Sequence, residues 1–362
     1  MLRPDYTMGG LEVKDNGTAN GTVHHRVLRV VLTSRIADLY APLSGIVSSV
    51  FEKQISSGDR DHEGWTTLPS WTMARRLITT ANARVYFGAE LVENTEFHDS
   101  VHSFINDLLS TAEILRWTPS IIHPLVSRLL MRNHRASKTI IKHLTPVVEE
   151  RLRRARTGVS GSGSPKPVDC VQFFVDANSR KQEWTASRIV QVLLGMWFAS
   201  VHQPVLTLIY ALENLCEHPE YIETLRRELS TSAPGRHVSG DLEAAGQGSA
   251  SALENLPLLD AFMKESSRLR PSDAISVRRK VMQPFTFKDG IHIPAGDVLC
   301  VPMIAIMRDE AIYPNAERFF AWRFMDSIRQ SGGDGVNTVR NTSRFTDSDS
   351  HYPLWGLGGH TW

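Results

Sequence analysis

The sequence predicts a mainly α-helical protein with a small β region near the C-terminal end. Three observations carry that reading. Apolar residues recur at helical spacing from residue 24 to residue 270. From Ile189 to Leu212 there is no Asp, Glu, Lys or Arg, as a helix at the centre of a large core requires. Beyond Pro271 the pattern turns to short alternating or β-branched runs between turn signals, which reads as strands.

Taken in order, segments 24–55, 71–89, 97–115 and 119–155 read as helices. The last is expected as one helix around Pro124 with a basic end, RLRRAR. Residues 157–167, TGVSGSGSPKP, have the composition of a flexible surface loop. Residues 185–217 form the longest apolar segment. Its length could span a bilayer, but Gln191, Ser200, His202, Gln203 and Pro204 interrupt it, so a buried central helix is the expectation. Pro204 removes one backbone hydrogen bond and should kink this helix. A second flexible stretch covers 231–251. Residues 254–270 form a helix stopped by Pro271. AISVRRKV, PFTFKDG, IHIPAGD and VLCVPMIA follow as short strands, and 327–350 is polar and loop-like. There is no internal repeat.

The chain has 362 residues, above the usual single-domain ceiling of about 250–300. It is 41% hydrophobic and 22% charged, ordinary for a globular protein, and its net charge of +1 provides no field for nucleic acid. Cys170, Cys216 and Cys300 lie far apart, which is neither a disulfide framework nor a CxxC metal pattern, and a reducing compartment is expected. The N-terminal residues carry no secretory signal, so the sequons at Asn16, Asn20 and Asn341 are expected to be unused.

Four motifs carry the chemistry. In MKESSRLRP, Glu265 and Arg268 are three apart and share a helix face. YPNAERFFAWRF follows at 313–324. LLGMWFASVHQP occupies 193–204 within the charge-free helix. Trp355-Gly356-Leu357-Gly358, with His360, forms a tight glycine-rich approach near residue 362.

In this order and at these spacings the motifs resemble the haem-thiolate monooxygenase family, the cytochromes P-450. Glu265-x-x-Arg268 is similar to its ExxR motif. Glu317-Arg318-Phe319 with Arg323-Phe324 is similar to its PERF-type segment, whose arginine completes the ion-pair network. Gly356, Gly358 and His360 match its haem-binding loop, FGxGxHxCxG. The wording of the central helix and of LTSRIADL resembles fungal members that tailor secondary metabolites. The resemblance implies one partial domain over 1–362, a truncated cytochrome P-450 fold whose anchor and first elements have no counterpart before Met1. It implies haem, with Arg279 and His360 meeting the propionates, and Arg29 with His24 or His25 assisting from an early helix. It implies a lipophilic substrate of terpenoid or related type, O₂, and NADPH electrons through a cytochrome reductase. It also implies an endoplasmic reticulum address for a full-length form. Haem oxygenation needs a thiolate to favour O–O cleavage.

Two positions depart from the pattern. The family's A-G-x-[DE]-T reads Ala199-Ser200-Val201-His202-Gln203, so both proton-delivery groups are replaced. A histidine can relay a proton near neutral pH, and Gln203 could order water. Trp362 falls where the axial cysteine belongs, and an indole offers an N–H but no lone-pair ligand. None of the three cysteines substitutes by motif. The expectation is therefore a chain without metal ligand and without activity. Three origins compete: an inactive relative, a decaying gene, or an incompletely spliced product. The last is favoured, because an exon ending in TG read through an intron beginning GTAAG encodes Trp then stop. The rival function is a non-catalytic remnant that binds an apolar ligand or a partner.

Overall fold

A computed structural model describes residues 4–7, 23–157, 166–178, 184–232, 256–326 and 344–357. These fall into two compact units, the first holding the described residues up to Val205 and the second those from Leu206 onward.

The first unit is helical. Its elements are α1 (Pro4–Thr7), α2 (Val23–Arg26) running into a π-helical stretch Val27–Leu32, α3 (Ile36–Ser57), α4 (Ser70–Phe87), α5 (Ala89–Val92), α6 (Thr95–Trp117), α7 (His123–Leu130), α8 (Arg135–Thr157), α9 (Cys170–Ala177) and the first part of α10 (Ala186–Glu217). Local chemistry starts and stops them. The side chain of Asn94 caps α6 by accepting from the Phe97 amide at 2.9 Å. Asp169 caps α9 through the Gln172 amide at 2.8 Å, and Arg151 donates to the same oxygen at 2.6 Å. Gly88 turns the chain between α4 and α5 at φ +92, where a Cβ would meet Asp169 Oδ2 at 2.6 Å. The core centres on Trp197 of α10, fully buried among Phe87, Phe97 and Phe104.

One expectation is corrected here and one holds. Segment 119–155 is not one helix. Pro124 stands in the first turn of α7, where its missing amide costs nothing, and Arg132, Asn133 and His134 adopt positive φ that breaks the chain before α8. The long helix lies at Ala186–Glu217 as expected. It is long and apolar enough to cross a membrane by length and composition, but Ile189, Leu193, Leu194 and Trp197 are buried within the protein.

The second unit contains the rest of α10, α11 (Ile222–Ser232), α12 (Pro257–Leu269), β1 (Ser276–Lys280), β2 (Phe285–Thr286), β3 (His292–Ile293), β4 (Val298–Val301), α13 (Met303–Met307) and α14 (Arg323–Asp326). Glu228 of α11 accepts from the Leu258 and Leu259 amides at 2.7 and 2.9 Å, placing a carboxylate at the positive end of α12. The strands form two antiparallel pairs, β1 with β4 and β2 with β3. The run VLCVPMIA divides: Val298–Val301 is strand, but from Pro302 the chain enters α13, because proline supplies no ladder donor. Of the expected loops, 158–165, 233–255 and 327–343 lie outside the described residues.

Candidate functional site: a buried carboxylate–guanidinium network

Helical spacing puts Glu265 and Arg268 on one face of α12, and both side chains are wholly buried. Arg268 donates from Nε and Nη2 to the two oxygens of Glu265 at 2.7 and 2.9 Å, a planar fork on a carboxylate. Its Nη1 donates to the Met307 carbonyl at 2.5 Å, and the guanidinium lies 5.0 Å from the ring centre of Tyr313. Burial pushes the Tyr313 hydroxyl up to about 12, so it stays a neutral donor, here to the His351 carbonyl at 3.0 Å.

Arg323, at the start of α14, approaches the same carboxylate from another segment. Its Nε donates to both oxygens at 3.0 and 3.2 Å. Its other nitrogens donate to the carbonyls of Pro314, Asn315 and Arg318 at 2.7, 3.2 and 3.0 Å. The Phe320 amide also donates to Glu265, at 3.1 Å. One buried carboxylate thus fixes α12, the 314–323 turns and, through Arg268, the end of α13.

Lys264, the preceding residue, escaped the sequence reading. It is buried, and its ammonium donates to the carbonyls of Arg344 and Asp347 at 3.2 and 3.1 Å while facing the rings of Tyr352 and Phe324. Burial lowers its pKa, against the opposing pull of Asp347, Asp349 and Asp260. Lys264 ties α12 to the segment 344–357, where Trp355 Nε1 donates to the Phe345 carbonyl at 2.9 Å and Tyr352 and Leu354 pack on Met303 and Met307. Gly356 closes a turn at φ +85, its amide donating to the Pro353 carbonyl at 3.0 Å.

The remaining sequence-predicted residues separate. Arg279 is on β1 opposite Leu299, exposed, with Nη1 on the Arg278 carbonyl at 3.0 Å. Gly358, His360 and Trp362 lie outside the described residues, as do the side chains of Arg29 and His25; His24 is half-buried. In the first unit, His202 is exposed and Gln203 half-buried. Beside them, Asn82 Nδ2 donates to the Ser200 carbonyl at 2.7 Å. That carbonyl is the one whose helical partner would be the amide of residue 204, and Pro204 has none. Asn82 was not foreseen, because nothing in its local sequence marks it.

A family model described as cytochrome P450 matches residues 18–343. The chain belongs to the cytochrome P450 family. Among curated relatives it is 29% identical over 305 residues to the cytochrome P450 monooxygenase olcJ of Penicillium canescens, covering 83% of this chain and 54% of that protein. It is 27% identical over 308 residues to the cytochrome P450 monooxygenase AN1598 of Emericella nidulans, again covering 83% and 54%. The chain spans about half the length of these relatives. Solved structures share the fold: retinoic acid bound cyanobacterial CYP120A1 at TM-score 0.65 and 18% identity, over 93% of this chain and 66% of that one, and the P450DA heme domain at 0.69 and 16%, over 100% and 72%.

Haem is the expected cofactor of this family, and the residues fit it in part. The ExxR scaffold and the turn at Gly356 are formed. Of the cysteines, Cys170 is buried in the first unit with its thiol pushed far up by desolvation, while Cys216 and Cys300 are exposed on α10 and β4. None belongs to the Gly356 turn. No cluster of metal-ligating side chains occurs among the described residues.

Proposed function

We propose that this chain is the greater part of a fungal haem-thiolate monooxygenase that oxidises a lipophilic small molecule, a terpenoid or related secondary metabolite. The full-length form works at the cytosolic face of the endoplasmic reticulum, with electrons from an NADPH-dependent cytochrome reductase. The observation that supports this most is the closed Glu265–Arg268–Arg323 network, which ties α12 to the 314–323 turns and the end of α13, with Lys264 beside it holding the segment of the glycine-rich turn. Arg279 and His360 supply cations for the propionates, and His202 with Gln203 stands where protons are delivered. Haem would supply oxygen activation once a thiolate holds it.

The chain as it stands carries Trp362 at that ligand position, and its indole has no lone pair to give. The residues therefore supply the scaffold of a haem site but no thiolate for it, and the chain is proposed to be inactive in this form. The test is a reduced, carbon-monoxide-treated spectrum after expression with haem precursor. The present chain should give no thiolate-type Soret band; Trp362→Cys, extended by the segment that follows the cysteine in the relatives, should give one. A thiolate band from the present chain would refute the ligand argument. Its absence from the extended Cys variant would favour the rival reading, a remnant that binds an apolar ligand without catalysis.

A further inference from the structure

Between α4 and α6 of the first unit lies a cleft of about 360 Å³ that the oxygenase reading does not use. Thr72, Arg75 and Arg76 line it from α4, and His98, His102 and Ser103 from α6. Thr72, Arg75 and Arg76 fall at spacings that share one face of α4, and His98 and His102, four apart, share one face of α6, with Ser103 at its margin. Arg75 donates Nη1 to Asn106 Oδ1. Arg76 makes no hydrogen bond or ion pair among the described residues. The two imidazoles meet edge to face with ring centres 4.6 Å apart. His98 Nε2 lies 3.2 Å from Thr80 Oγ1, and its Nδ1 is 4.0 Å from Asp99. His102 Nε2 is buried and has no hydrogen-bond partner among the described residues.

Three charged groups face the cleft: the guanidiniums of Arg75 and Arg76 from α4, and the single, largely exposed carboxylate of Asp99 from α6. The cleft is net positive. Two histidines four apart on a helix are also the spacing of a divalent-metal site. Two guanidiniums repel a dication, however, and the described residues supply no third ligand. A buried nitrogen left unsatisfied in a positive cleft calls for an acceptor that is also an anion.

We propose that this cleft binds a phosphate-class oxyanion, held by Arg76 and the hydroxyls of Thr72 and Ser103, with His102 Nε2–H as the buried donor. Burial, with His98, Arg76 and Arg75 nearby, pushes His102 down to about 4, and burial and Arg76 lower His98. Both rings are therefore neutral at pH 7. An oxyanion brings the opposite charge and raises both, so binding tightens as pH falls below neutrality and takes up a proton.

The test is an NMR titration of the full chain, labelled at histidine, with inorganic phosphate. The expected result is a saturable shift of the His98 and His102 signals and a rise in the His102 titration midpoint. Arg76→Gln should weaken binding by about tenfold or more, with Arg76→Lys intermediate. Thr72→Val, at an exposed position, gives a second reading if Arg76→Gln fails to fold. A parallel titration with phosphatidate vesicles separates the sources: a shift with phosphate supports a soluble phosphate ligand, and one with vesicles alone supports a lipid headgroup. No saturable shift with either, the same affinity in the variants, or saturation by zinc but not by phosphate would overturn the proposal.

Discussion

Arg268 engages three nitrogens on Glu265 and the Met307 carbonyl with no part of its side chain exposed. Removing it leaves a buried carboxylate with Arg323 and the Phe320 amide as its remaining donors. Loss of one partner of a buried pair costs about 3–5 kcal/mol. Arg268→Ala should therefore lower unfolding stability by about that amount, near the low end because Arg323 remains, as read from a urea transition. A loss under about 1 kcal/mol would mean the network carries little of the fold. Arg268→Lys should recover only part, since an ammonium cannot form the fork. At this scale the sequence was informative for Glu265, Arg268 and Arg323, whose types and spacing encode their chemistry. Lys264 and Asn82 were illegible, because what they do depends on carbonyls 80 and 118 positions away along the chain.

Among the elements, the centre of α10 is the most specific. Pro204 frees the Ser200 carbonyl, and Asn82 of α4 satisfies it at 2.7 Å. An unsatisfied buried carbonyl costs about 1–3 kcal/mol, and this one is only part-buried, so Asn82→Ala should destabilise by about 1 kcal/mol. Pro204→Ala restores the helical donor, so the penalty of Asn82→Ala should shrink in the Pro204→Ala background. Additive penalties in that double-mutant cycle would sink the idea. Helices with sustained periodicity, such as 70–87 and 95–117, were visible in the sequence within a few residues of their ends. The break at 131–134 was not, because apolar spacing continues across it and only backbone dihedrals reveal it. The short α9 was also hidden, since it depends on Asp169 as a cap held by Arg151 from another helix.

For the whole molecule, hydrophobic periodicity located the fold class and the order of motifs located the family, but the division of contacts into two units left no mark in hydropathy, because α10 runs through the boundary. One global property follows from a single group. His102 is held down at about 4 in the folded chain against 6.5 when unperturbed. Between those values the unfolded chain binds a proton that the folded chain does not, so stability falls as pH drops from about 6.5 towards 4, by up to about 3 kcal/mol. His102→Gln should flatten that part of the curve in denaturant titrations run across this range. An unchanged slope would show that His102 titrates normally in the folded protein.

The Glu265 network draws every donor and acceptor from the polypeptide itself. Its geometry is therefore set by side chains and main chain alone, and a change elsewhere in the molecule leaves its hydrogen bonds intact as long as α12 and the 314–323 turns keep their places. One carboxylate thus works as a knot rather than a rivet: two separate stretches of chain meet at its two oxygen atoms, a third is joined to them through Arg268, and loosening any one of them is felt by the other two.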